Sequence, residues 1–143
     1  MKHILFAADH AGWEMKNELI SYLSKEGYEC TDLGTNSPDS VHYPEYADAL
    51  CEKLIGGGYD AGILVCGTGI GMSIAANRHK GVRAALCTDE QYATLAREHN
   101  DANVLCLGAR FITFEKAAKL CDVFLTTDFL GGRHKIRTDM LDK

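Results

Sequence analysis

The sequence predicts an α/β fold: a doubly wound, three-layer α/β/α domain with a five-stranded parallel sheet. Three observations carry that expectation. Five short apolar runs alternate with stretches of helical period along the 143 residues. The runs, such as AGILVC at 61–66, are apolar almost throughout, as strands covered on both faces are. Glycines, capping residues and a proline punctuate the junctions. Right-handed crossovers then wind such a chain around its sheet. Residues 1–143 are expected to make one domain, since a chain of this length has enough surface to bury a core of its own.

Each element has a local reason. HILFAA (3–8) reads as a buried strand. Residues 13–26 read as a helix with Met15, Leu19, Tyr22 and Leu23 on one face and Gly27 as its stop. YECTDL (28–33) is a second strand. Pro44 suits the first turn of a helix that buries Ala47, Leu50, Cys51 and Leu54 and ends at Gly56-Gly57-Gly58. AGILVC (61–66) is the third strand, and the helix after it holds Ile74, Ala75 and Ala76. VRAALC (82–87) is the fourth strand. Thr88 and Gln91 have capping-box spacing for a helix running to about residue 98. NVLCLG (103–108) is the fifth strand. Thr113 can cap a helix carrying Phe114, Ala117, Ala118 and Cys121, and Gly131-Gly132 lead into a short helical tail.

Composition narrows the function classes. Hydrophobic residues make up 46% and charged residues 24%, as in ordinary globular proteins. The net charge of -5 implies no broad basic surface, so neither nucleic acid nor an acidic membrane is an expected partner. No apolar run approaches the ~20 residues of a membrane helix. HILFAA opens the chain without a signal pattern, and six cysteines lack any CxxC pair. A cytoplasmic location with reduced thiols is therefore expected, most of them acting as small buried hydrophobes. No His and carboxylate share metal-ligand spacing within one element, so no metal site is expected. His3 and His42 read as bystanders and His79 as an exposed loop residue.

Doubly wound sheets bind ligands at the carboxyl ends of their strands. There lies VCGTGIGMS (65–73). Its Gly67-x-Gly69-x-Gly71 spacing departs from GxGxxG, follows the third strand rather than the first, and has no Walker-A lysine, which argues against nucleotides. The glycines still let backbone N–H groups face one concavity, which favours a phosphate or a developing oxyanion. Cys66 stands directly before those groups. A helix N-terminus favours the thiolate, which serves as a base or a nucleophile; the alternative is a core cysteine that ends a strand. Asp9-His10 end the first strand and suit proton transfer or sugar hydroxyls, or else Asp9 caps the next helix. His99 and Asn100 stand where a helix meets the fifth strand, and His99 reads as an acid/base group or as a cation near a helix C-terminus. Arg133 and Arg137, four apart, form a phosphate clamp or a solvated basic tail, and Arg110 ends the fifth strand as a third guanidinium. A base, an N–H cradle and an anion clamp suit proton transfer beside a carbonyl in a phosphorylated small molecule.

Taken together and in order, DHAG (9–12), YP (43–44), CGTGIGMSIAANR (66–78), REHNDAN (97–103), LGAR (107–110) and GGRHKIR (131–137) resemble the type B ribose-5-phosphate isomerases, whose family includes the galactose-6-phosphate isomerase subunits. The resemblance implies aldose–ketose isomerisation of a sugar phosphate without metal or organic cofactor. It implies Cys66 as the base that moves a proton between C1 and C2 through a cis-enediolate. Some members use a glutamate instead, and Cys66 places this chain in the thiol branch. Thr68 and the amides of Gly67, Gly69, Ile70 and Gly71 would stabilise the enediolate. His99, helped by Asp9, would open the ring. His10, Arg110, Arg133 and Arg137 would hold phosphate, and Tyr43 and Asn100 would contact the sugar. The resemblance also implies a homodimer, or a dimer of dimers, with sites shared between subunits. Hexose 6-phosphates of the allose or galactose type are the alternative substrates.

Overall fold

The computed structural model describes residues 1–142. The elements run β1 (His3–Ala8), α1 (Trp13–Lys25), β2 (Glu29–Asp32), α2 (Tyr43–Ile55), β3 (Ala61–Cys66), α3 (Ile70–Ala76), β4 (Ala84–Leu86), α4 (Glu90–Asn100), β5 (Val104–Gly108), α5 (Phe114–Thr126) and α6 (Arg133–Thr138). The five strands form one parallel sheet in the order β2-β1-β3-β5-β4. The expected doubly wound, three-layer α/β/α arrangement is the observed one.

Strand alternation divides the core into two layers. Ile4, Phe6, Ile63, Val65, Leu105 and Leu107 point to one face, where α1, α4 and α5 pack. Leu5, Ala7, Leu64, Cys66, Val104 and Cys106 point to the other, under α2 and α3. The chain leaves β1 toward one edge and returns at β3 toward the other, so the winding reverses between these neighbours. Ala8 pairs with Val65 there. The crevice above that pair is the switch point at which such sheets bind ligands.

The local signals held with small corrections. Pro44 does lie in the first turn of α2, and Thr113 Oγ1 accepts from the Lys116 amide at the start of α5. The cap of α4 is Asp89, not Thr88: its Oδ1 accepts from the Gln91 and Tyr92 amides. β4 keeps three residues of the six expected, because it is an edge strand paired with β5 alone. α4 runs on to Asn100, so His99 and Asn100 belong to its last turn. His79 lies in a loop as expected but is half-buried rather than exposed, with its Nε2 2.7 Å from Asp48 Oδ1. Lys16, beside Leu19 and Leu23 on the inner face of α1, is wholly buried.

Gly12 seats the start of α1 on β3. A Cβ there would collide with the carbonyl oxygen of Val65, and would lie 2.6 Å from its carbonyl carbon, neither of which can rotate away. Gly12→Ala should therefore destabilise by about 1–3 kcal/mol through overpacking. A urea melt checks this: the midpoint should fall at unchanged slope, and an unchanged midpoint would contradict the close seating.

Candidate active site

Sheet polarity decides which candidates can meet. Residues that follow a strand lie at one end of the sheet, and residues that end a crossover helix lie at the other. Asp9, His10, Cys66, Gly67, Thr68, Gly69, Ile70, Gly71 and Arg110 fall at the strand-exit end, where Tyr43 joins them at the start of α2. His99 and Asn100 close α4 just before β5 begins, and α6 with Arg133 and Arg137 packs beside them. Those four lie at the opposite end. The six residues of β3 alone separate the ends by about 20 Å.

At the exit end the glycine loop is a set of hydrogen-bond donors. Gly69 takes φ +80°, a turn that a side chain would resist, and aims its amide at Cys66 Sγ, 3.2 Å away. The Ile70 amide donates to Thr68 Oγ1 at 3.1 Å. The Gly67, Thr68 and Gly71 amides find no acceptor among the described residues. Two side chains close over the loop because it has no Cβ to block them. A Cβ on Gly71 would lie 2.7 Å from Tyr43 Cε1, and one on Gly67 would lie 3.1 Å from Arg110 Nη1. Cys66 is 5% exposed at the floor of this loop.

The six thiols are all free, and Cys66 differs from the rest in kind. Cys30, Cys51 and Cys87 donate weakly to the carbonyls of Tyr28, Ala76 and Ala85. Burial pushes Cys51 up to about 12 and Cys87 up to about 11, and raises Cys106 and Cys121 as well. Those thiols stay protonated, as structural residues do. Among the described residues, Cys66 alone accepts an amide hydrogen bond at sulfur.

Asp9 partly follows the capping alternative. Its Oδ1 accepts from the Ala11 and Gly12 amides at 2.9 and 3.1 Å. Its own amide donates to Val65 O, which ties it to the strand that carries Cys66. His10 Nδ1 accepts from the Val41 amide at 3.2 Å. That bond puts the proton of the neutral ring on Nε2.

The other end is held by a second device. Arg97 is 7% exposed, and its guanidinium donates to Asp101 Oδ1, Ala102 O and Thr127 O. Arg83 reaches Asp101 from the start of β4. Asp101, at φ +46°, ends α4 and so fixes His99 and Asn100. The Leu130 amide donates to Glu98 O and pins the tail to the same turn. His134 then stacks on His99, with ring centroids 4.2 Å apart and planes 10° from parallel. Arg133 and Arg137 flank the pair on exposed positions of α6. His134, which GGRHKIR carries between the two arginines, draws no role of its own from the sequence.

Residues 4–141 match the Ribose/Galactose Isomerase family. The chain belongs to that family. It is 43% identical to ribose-5-phosphate isomerase B of Escherichia coli, over 99% of this chain and 95% of that one. Among solved structures, the family member from Thermotoga maritima, a ribose 5-phosphate isomerase, superposes with a TM-score of 0.97 at 48% identity, covering 99% of this chain and 97% of its own. Ribose-5-phosphate isomerase B from Mycoplasma genitalium, solved with bound ribulose-5-phosphate, superposes at 0.92 with 43% identity, over 96% and 91% of the two chains. The family's isomerase fold is thus present end to end.

The histidine stack carries a prediction. Desolvation, then the neighbouring His99, Arg133 and Arg137 charges, hold the His134 imidazole below its ordinary value, with Glu98 opposing them. An NMR titration should place its midpoint below the usual ~6.5, and Arg137→Gln should raise it. A midpoint at or above the usual value would contradict the stacked arrangement.

Proposed function

We propose that the protein interconverts ribose 5-phosphate and ribulose 5-phosphate through a cis-enediolate, with Cys66 as the proton-transfer base. The observation that carries this reading is the Gly69 amide directed at Cys66 Sγ, at the floor of a loop with unpaired donors. Family membership supports the reaction class.

His99 moves a proton between the ring oxygen and the anomeric hydroxyl and opens the sugar. The Cys66 thiolate takes the C2 proton of the aldose. Negative charge then develops on the enediolate oxygens, where the loop amides and Thr68 donate hydrogen bonds. The thiol returns its proton at C1, a hydroxyl proton passes from O2 to O1, and the ketose results. Donors set before the reaction begins need no reorganisation as the charge appears. His10, Arg110, Arg133 and Arg137 hold the phosphate, Tyr43 and Asn100 contact the sugar, and Asp9 assists ring opening. The chemistry of this donor set calls for no metal or organic cofactor.

One chain cannot close this site, because its two halves lie about 20 Å apart. A second copy of the chain supplies His99, Asn100, Arg133 and Arg137 to the Cys66 loop of the first. Ile70 and Ile74, one turn apart on α3 beside the loop, are 51% and 52% exposed and offer apolar surface for that contact. A homodimer is the smallest assembly that satisfies the geometry, and pairs of dimers are compatible with it.

The family's scope, ribose and galactose, makes a hexose 6-phosphate the second reading. A panel of five- and six-carbon sugar phosphates compared by kcat/KM separates the two. Ribose 5-phosphate should lead. Cys66→Ala should lose at least about 100-fold in kcat while still binding substrate, as removal of a proton-transfer group does. Solvent-deuterium exchange at C1 and C2 that continued at the wild-type rate in Cys66→Ala would overturn the base assignment.

A further inference from the structure

Lys16 has no part in the chemistry above, yet its side chain is wholly buried. Its ammonium lies 2.7 Å from Asp32 Oδ1 and 2.8 Å from both Asn36 Oδ1 and Asn17 Oδ1. Withdrawing an ammonium from water is expensive, and an apolar side chain of similar length would fill the same space without that cost. What the charge holds is therefore the informative question.

It holds a short path to the candidate site. Asp32 Oδ1 also accepts from the Gly34 amide at 2.9 Å. Partial burial works to raise the Asp32 carboxyl, but Lys16 and Gly34 keep it below its ordinary value. Gly34 O accepts from the Ala8 amide at 2.8 Å, and the Thr35 amide donates to Ala8 O at 2.9 Å. Segment 32–36 is thereby laced to the end of β1, one residue before Asp9-His10. The exposed stretch that follows reaches His10 through the Val41 amide and delivers Tyr43 to the glycine loop.

We propose that Lys16 is a positioning residue: its buried ammonium anchors segment 32–36 and so sets the 37–43 loop that orients His10 and Tyr43. This rests on the isomerase reading of that site.

The test compares wild type with Lys16→Met and with Asn36→Ala, which removes one acceptor at an exposed position. Nitrogen NMR of the His10 ring, thermal midpoints, and KM and kcat for ribose 5-phosphate are measured on each. Lys16→Met should turn the single Nε2–H tautomer of His10 into a mixture and raise KM about tenfold, with a smaller change in kcat. Asn36→Ala should shift both in the same direction by less. If Lys16→Met does not fold, the Asn36→Ala result decides. A lowered thermal midpoint with unchanged tautomer and KM would overturn the proposal and leave Lys16 a structural residue. If wild type turns over no sugar phosphate, the isomerase reading fails, while the His10 tautomer still decides whether Lys16 sets the loop.

Discussion

All five strands point the same way, and the placement of every candidate site residue follows from that polarity. A parallel sheet needs a crossover helix after each inner strand, and each helix carries the chain back to the starting end. Strand exits therefore collect at one end and helix C-termini at the other. Cys66 is the last residue of β3, and His99 is in the last turn of α4. No loop movement within one chain unites them. Under the proposed isomerase reading, that separation is what a second copy of the chain would bridge.

The two ends are chemically unlike, and each is built for its own charge. At the exit end the backbone does the work. Gly67 and Gly71 admit Arg110 and Tyr43 to a space that a Cβ would obstruct, and Gly69 turns its amide to Cys66. The same glycines that depart from a dinucleotide fingerprint by their spacing leave amides free to serve the oxyanion cradle proposed above. At the other end side chains do the work. Asp101 bridges Arg83 and Arg97 and leaves the exposed guanidinium groups of Arg133 and Arg137 beside stacked histidines. In the proposed shared site, donors and a thiol on one side would complement cations and imidazoles on the other around an anionic sugar.

Much of this was legible in the sequence, for physical reasons. Apolar periodicity marks buried faces, so the five strands and the helices between them could be placed within a residue or two. Capping chemistry was legible in kind but not always in position: Thr88 and Asp89 are both good caps, and only the structure shows Asp89 reaching two amides. Cys66 stood out as a thiol at a strand exit, but its difference from Cys51 and Cys106 lies in what its sulfur accepts, which no pattern encodes. Lys16 was missed because a lysine is ordinarily solvent-facing even where helical spacing sets it beside Leu19 and Leu23, and its acceptors Asp32 and Asn36 are distant in sequence. The separation of His99 from Cys66 follows from strand direction and was derivable in principle. The motif resemblance implied sites shared between subunits but left open which subunit brings His99.

The central claim is that one site is made by two chains. Mixing Cys66→Ala protein with His99→Asn protein tests it most directly. Each variant alone should be inactive. After subunit exchange, half of the dimers should be mixed and one site in each should be intact, so roughly a quarter of wild-type activity should return. If mixed dimers form by native mass spectrometry and the mixture stays as inactive as its parts, the shared site is contradicted.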